Sequence, residues 1–337
     1  MFKKSLTFML IISLLLIPGC GHKTVKKVIK KVPPKVETVI PVETKYYAPY
    51  TGVEVSKEVL ANVAFMSTIE NIKAARPLSG LNNADIIYEF MAEGGISRFL
   101  AVYQSQNCDK IGPVRSMRTY FVDMAYEYNL PFAHCGGSHD ALARITAGKM
   151  LDLDQFYNDS AYWRDPERKV QEHSLYTSTA KISALVTSKG YVKEPTVKLS
   201  FDKKYWEDKL DAASNINIKF NGSYSASYSF KDGQYYKSMD GAPTLNREDN
   251  LPVTVTNVVY QIATYKSRPN ELYLDCNLIS SGDGFIFSNG MVKKIKWSKA
   301  SLTSQTILTD EAGKVVPLNP GRTWWHVADP STQISYN

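Results

Sequence analysis

After residue 50 the chain reads first as a mixture of periodicities and then as strands alone. In "DIIYEFMAE" (85–93), Ile86, Tyr88 and Phe90 alternate with Ile87, Glu89 and Met91, which is the period of a strand. "ISRFLAVYQS" repeats the alternation after Gly94-Gly95, so residues 85–105 predict a hairpin. In "SMRTYFVDMAYEYN" the spacing changes. Phe121, Met124, Ala125 and Tyr128 share one helical face, with Ser116 as the expected N-cap. "LPFAHCGGS" predicts a short buried strand entering a Gly-Gly turn. "SHDALARITAG" predicts a second helix, capped by Ser138 and stopped by Gly148, and "HSLYTSTAKISALVTSKG" a third, capped near Ser178 or Thr179.

From about residue 200 the helical period disappears. "NINIKFNG", "YSASYSFKDGQYYKSMDG", "PVTVTNVVYQIATY", "GDGFIFSNGMVKKIKWSK" and "GKVVPLNPGRTWWHVAD" are alternating runs bounded by Asp-Gly, Asn-Gly and Pro-Gly turns. The expected fold is an α/β or α+β domain over 50–200, followed by a smaller all-β sandwich or partly open barrel over 205–337. The change of pattern near "VKLSFDKKYWEDKLDAASN" predicts two separate cores.

The first fifty residues are of another kind. "MFKK" is a short basic start, and Leu6–Ile17 is an apolar run too short to span a bilayer as a helix. It ends in "IPGC". An aliphatic residue, a small residue and then Cys20 resemble a bacterial lipobox, so residues 1–19 are expected to be removed and Cys20 to carry the lipid. Residues 20–49, rich in Lys, Val and Pro, are expected to be an extended tether whose lysines lie against anionic lipid, each adding on the order of 1 kcal/mol.

Charge changes the picture only there. The formal net charge is +7 over 337 residues. Residues 1–50 hold nine lysines against two glutamates, which leaves 31 basic and 31 acidic side chains in the body. A neutral body argues against nucleic acid as a partner. With Cys20 assigned to lipid, Cys276 reads as a buried strand thiol. Cys108 and Cys135 could pair, but nothing in their spacing requires it.

Several stretches together resemble one family. "NNADIIYEFMAEGGISRFLAVYQS", "IGPVRSMR", "HCGGSHDAL" and "HSLYTST" resemble the N-terminal domain of the YerB-like lipoproteins of Gram-positive bacteria. "DGQYYKSMDG", "GDGFIFSNG" and "LNPGRTWWHV" resemble that family's smaller C-terminal β-domain. The resemblance covers about residues 55–330 and implies a fold, an extracytoplasmic location and a set of motif positions, but no reaction. Those positions are Glu93, Gly94, Gly95, Arg98, Gly112, Pro113, Arg115, Ser116, Arg118, Gly136, Gly137, Ser138 and His173, with Tyr176 and Thr177 beside the histidine.

Two readings of the arginines stand side by side. Arg98, Arg115 and Arg118, with Ser116 and the Gly136-Gly137-Ser138 turn, could form an anion-binding cleft at two helix starts. Alternatively, Glu89, Glu93 or Asp85 could pair with them as a structural network. His173 is the candidate acid or base if the protein is an envelope enzyme acting on a phosphate-bearing wall precursor or polymer. A binding or scaffolding role needs no catalytic residue. His134, His139 and His173 with Asp140 do not have the spacing of a zinc site, so no metal and no cofactor are expected. Cys135 paired with a histidine as nucleophile is weighed down by its place in an apolar strand. Trp324, Trp325, Tyr235 and Tyr236 could line a sugar groove or form core and rim. The expected partners are membrane lipid through Cys20 and the tether, and an anionic small molecule or envelope polymer.

Overall fold

Strand alternation becomes a layered fold once both faces of one sheet are covered. The computed structural model describes residues 44–337 apart from Pro195; the expected signal peptide, Cys20 and the expected tether up to residue 43 lie outside the described residues. The first segment contributes β1 (Phe65–Glu70), β2 (Ile86–Met91), β3 (Ser97–Tyr103), helix α1 (Thr119–Tyr128), β4 (Phe132–His134), α2 (His139–Ala147), β5 (Asp152–Asp154) and α3 (Thr179–Ser188). The second contributes β6 (Asn215–Lys219), β7 (Ser225–Lys231), β8 (Gln234–Met239), β9 (Asn257–Ile262), β10 (Ser281–Ser288), β11 (Met291–Ser298), β12 (Thr323–Ala328) and β13 (Gln333–Tyr336). The mixed first segment and the strand-only second segment are those the sequence predicts.

The segments do not form separate cores. An eleven-stranded sheet runs β11-β10-β9-β12-β2-β3-β1-β4-β5, with short strands at Asp211–Ala212 and Ile307–Thr309 both pairing with β11. β12, close to the end of the chain, lies at the junction, parallel to β9 on one side and to β2 on the other. Trp324 stands between Val258 and Ile87, and Trp325 between Val259 and Tyr88. The expectation of two cores fails because parallel neighbours can be far apart in sequence.

A second sheet, β8-β7-β6-β13 with two short strands at Ala242–Pro243 and Thr254–Val255, packs on one face of the first. There Ile216, Tyr228, Tyr235 and Met239 share a core with Ile87, Phe99, Tyr260 and Trp324, and Ile182 and Val186 of α3 join it. Phe121, Met124 and Tyr128 of α1 cover the other face, against Tyr88, Phe90 and Trp325. Covered on both sides, all six residues of β12 are buried, as in a parallel sheet flanked by two layers.

The turns obey local chemistry. Asp232-Gly233, Asp240-Gly241 and Asn289-Gly290 all have positive φ, the left-handed pairs that close tight hairpins. The start of α1 does not follow the sequence reading. Its N-cap is Arg118, not Ser116, and no side chain caps it. Residues 115–118 are instead engaged with residues 135–138, as described next.

Candidate functional site

The arginine motif begins at Gly112, whose φ is 146°. A Cβ there would lie 2.8 Å from the carbonyl of Leu175 and 2.9 Å from the amide of Val114, so the position requires glycine. The chain then runs beside the Gly-Gly-Ser turn. The Cys135 amide donates to the Arg115 carbonyl at 3.0 Å, the Met117 amide to Gly136 at 2.9 Å, and the Ser138 amide to Met117 at 3.1 Å. The arginine motif and Gly136–Ser138 are therefore spatial neighbours through their backbones.

The arginine side chains divide into two groups. Arg118 is buried and grips both carboxylate oxygens of Glu93, with Nε 3.1 Å from Oε2 and Nη2 on Oε1. Its Nη1 donates to the Met117 carbonyl at 2.7 Å, and the guanidinium lies 5.0 Å from the centroid of the Tyr273 ring. Arg98, also buried, reaches the same Glu93 at 3.6 Å and donates to the Ser116 carbonyl at 3.1 Å. Burial lowers the pKa of both guanidinium groups. Their carboxylate partner is Glu93; Glu89 and Asp85 lie elsewhere. Ser116 meets this network through its carbonyl.

Arg115 belongs to the second group. Its Nε lies 3.2 Å from Oε1 of the buried Glu70, whose Oε2 lies 2.8 Å from Nδ1 of His173. Glu70 thus joins Arg115 to His173. The other side of Arg115, together with Ser116, Cys135, Arg164 and Glu172, lines a cavity of about 170 Å³. His173 is not among the lining residues. Burial raises the pKa of the Cys135 thiol, the opposite of what a nucleophile needs.

At the Gly-Gly turn the nearest anion belongs to the protein. The Gly136 amide donates to Asp154 Oδ1 at 2.9 Å. Ser138 occupies the N-cap of α2, but its hydroxyl caps nothing. The starts of α1 and α2 are linked through Arg268, which pairs with both Asp140 and Asp275; Thr119 donates to Asp275 at 3.3 Å. Carboxylates of the protein sit where helix dipoles favour negative charge. Among the described residues, no group of three or more His, Cys, Asp or Glu side chains could hold a metal, and Cys108, Cys135 and Cys276 are free thiols.

A polar cluster missed by sequence reasoning lies between the two sheets. Glu89, Lys237 and His326 are fully buried. Lys237 Nζ is 3.3 Å from Glu89 Oε2 and donates to Tyr228 at 3.0 Å; Tyr228 in turn lies 2.7 Å from His326 Nε2. Trp324 and Ser97 each donate to Glu89 at 2.7 Å, and Tyr224 donates to it as well. The available signal was a lone charge at an inward position of an apolar alternation, as in "IIYEFM", "YYKSM" and "WWHVA". Trp324, Trp325 and Tyr235 are core, while Tyr236 is half-buried on the outer face of β8.

A mixed segment and a β segment sharing one sheet, with arginines gathered on Glu93 and Glu70, describe a family whose activity is unassigned. Residues 50–192 match the model described as "Protein of unknown function (DUF3048) N-terminal domain", and residues 215–325 match its "C-terminal domain". The chain belongs to that family. It is 33% identical over 294 residues to "Putative lipoprotein YerB" of Bacillus subtilis (strain 168), covering 84% of this chain and 86% of the relative. The crystal structure of YerB from Bacillus subtilis matches with a TM-score of 0.77 and 30% identity, over 86% of this chain and all of the other. The resemblance read from the motifs is confirmed.

Proposed function

We propose that the chain is a lipid-anchored extracytoplasmic binding protein, whose first segment takes an anionic group beside Arg115. The anchor reading rests on the "IPGC" sequence ending at Cys20 and on a relative named as a lipoprotein. It also fits the described residues, among which no helix is long and apolar enough to cross a membrane. Fatty-acid labelling tests it: Cys20→Ala should lose the label and leave the membrane fraction.

The observation that carries the binding reading is the split among the arginines. Arg98 and Arg118 are held by Glu93, whereas Arg115, paired with Glu70 and 3.7 Å from Glu172, lines a cavity together with Arg164. The first two anchor the backbone carbonyls of Ser116 and Met117, and the other two offer forked donors to a carboxylate or phosphate. Thermal shift with phosphate and pyrophosphate is the test. Wild type should be stabilised, and Arg115→Lys should lose the anion-dependent shift while keeping its melting temperature in buffer. Arg118→Ala should cost about 3 kcal/mol of stability by leaving Glu93 without its fork. An unchanged melting temperature at every anion concentration would sink the binding reading.

The second reading is an envelope enzyme acting on a phosphate-bearing wall precursor or polymer. The Arg115–Glu70–His173 chain favours it, since Glu70 would orient His173 as acid or base. Its position outside the cavity lining weighs the other way. Hydrolysis of a phosphodiester or pyrophosphate substrate that His173→Gln abolishes would choose the enzyme.

A further inference from the structure

The outer face of the second sheet differs from the rest of the surface. β6, β7, β8 and β13 each turn alternate residues outward. In register, Ser335 faces Asn217, Asn217 faces Ser227, and Ser227 faces Ser238. One row across four strands therefore carries only small, uncharged hydrogen-bonding side chains. Gln333, beside Lys219, begins the next row, and Tyr236, opposite Ser229, stands half-buried in the row on the other side. None of the side chains of Asn217, Ser227, Ser238, Gln333 and Ser335 hydrogen-bonds another described residue.

Asn217, Lys219, Ser227, Gln333 and Ser335 line an open cleft of about 810 Å³, while Ser238 and Tyr236 lie on the same sheet face outside its lining. Its walls are held in place. Asn221 donates to the Gly95 carbonyl at 2.8 Å and accepts from the amides of Ser223 and Tyr224. Asp240 on the other wall is neutralised by Arg76 at 2.6 Å.

We propose that this cleft binds an uncharged glycan chain rich in hydroxyl and acetamido groups. Each alternative class needs something the face lacks. A stable protein interface has an apolar centre, nucleic acid needs a basic stripe, and a lipid surface needs a cluster of apolar or cationic anchors, whereas Lys219 is the single basic residue in the lining. What the face offers is a row of hydroxyl and carboxamide groups, each able to donate and accept. Rows are set by strands about 4.8 Å apart, and Tyr236, on the same face beside the cleft, supplies an amphipathic ring. The sugar contact that the aromatic residues suggest in the sequence falls to Tyr236 and its polar neighbours, since the tryptophans are buried. This inference is independent of the Arg115 cavity, which lies in the other segment.

The test is co-sedimentation of the full chain, in detergent, with insoluble chitin and with cellulose, alongside titration with soluble chitin oligosaccharides. Retention on chitin is expected, weaker on cellulose, and insensitive to Arg115→Gln. Ser227→Glu and Tyr236→Ala are each expected to weaken binding about tenfold, with melting temperatures near wild type because both side chains point outward. Failure of wild type to bind either polymer overturns the proposal, as does retention that survives both substitutions together. So does a concentration-dependent dimer lost in Ser227→Glu without glycan binding, which would make the face a contact between copies of this chain.

Discussion

Glu89 and Lys237, from different segments, meet 3.3 Å apart with no exposed surface on either side chain. Lys237 also lies 4.0 Å from the centroid of a Trp324 ring. Burial works against the charge on Glu89, but Lys237, His326 and the hydroxyls of Tyr224 and Ser97 hold its carboxyl down to about 2. Burial brings Lys237 down to about 8 in spite of Glu89. Removing one partner of such a pair strands the other. Lys237→Met should cost about 3–5 kcal/mol, whereas Glu89→Gln with Lys237→Met should cost less than the sum of the two single changes. Urea titrations of the four proteins read this directly.

The same cluster predicts an acid response. Burial keeps His326 neutral down to about 3, against an ordinary value of 6.5. Between those values the unfolded chain binds a proton that the folded chain refuses, so stability falls as pH drops. Glu89, ordinarily near 4.5, adds a loss of the same sign below that value. Asp85 acts oppositely. Burial pushes it up to about 6, so acidification from 6 to 3.8 favours the folded chain at that residue. Asp123, also raised by burial, acts in the same sense. Each proton contributes at most about 1.4 kcal/mol per pH unit. Stability should change little from pH 6.5 to 4 and fall steeply below. His326→Gln should reverse the sign of the shallow region, which denaturant melts at pH 6 and pH 4.5 would detect.

Deleting the chain from Arg322 onward should abolish cooperative unfolding of the whole body. β12 supplies neighbours to both β9 and β2, so its loss exposes two interior strand edges. A fragment of residues 44–200 should lack a cooperative thermal transition by circular dichroism. An independently melting fragment would show that the first segment needs no partner strand.

Sequence made some of this legible and hid the rest for identifiable reasons. The hairpin of β2 and β3 and the helical face of Phe121, Met124 and Tyr128 follow local periods. The start of α1 was hidden because residues 115–118 bond to 135–138, about twenty positions away, and no local propensity reports that pairing. The arginines were visible as a group, and Glu93 was one of three candidate partners. The choice depended on β2, which turns Glu89 inward and ends before Glu93. The place of β12 was the least legible feature, since "TWWHVA" shows a buried strand but not its neighbours.

The order of synthesis meets the order of the sheet at β12. A ribosome delivers β1, β2 and β3 early, yet the strand that closes the gap between β2 and β9 follows all but one of the described strands. Until Thr323–Ala328 emerges, the inner edge of β2 and the apolar faces beside it have no permanent cover. Closure of the shared sheet therefore waits for Thr323–Ala328, and until then the chain depends on whatever shields that edge.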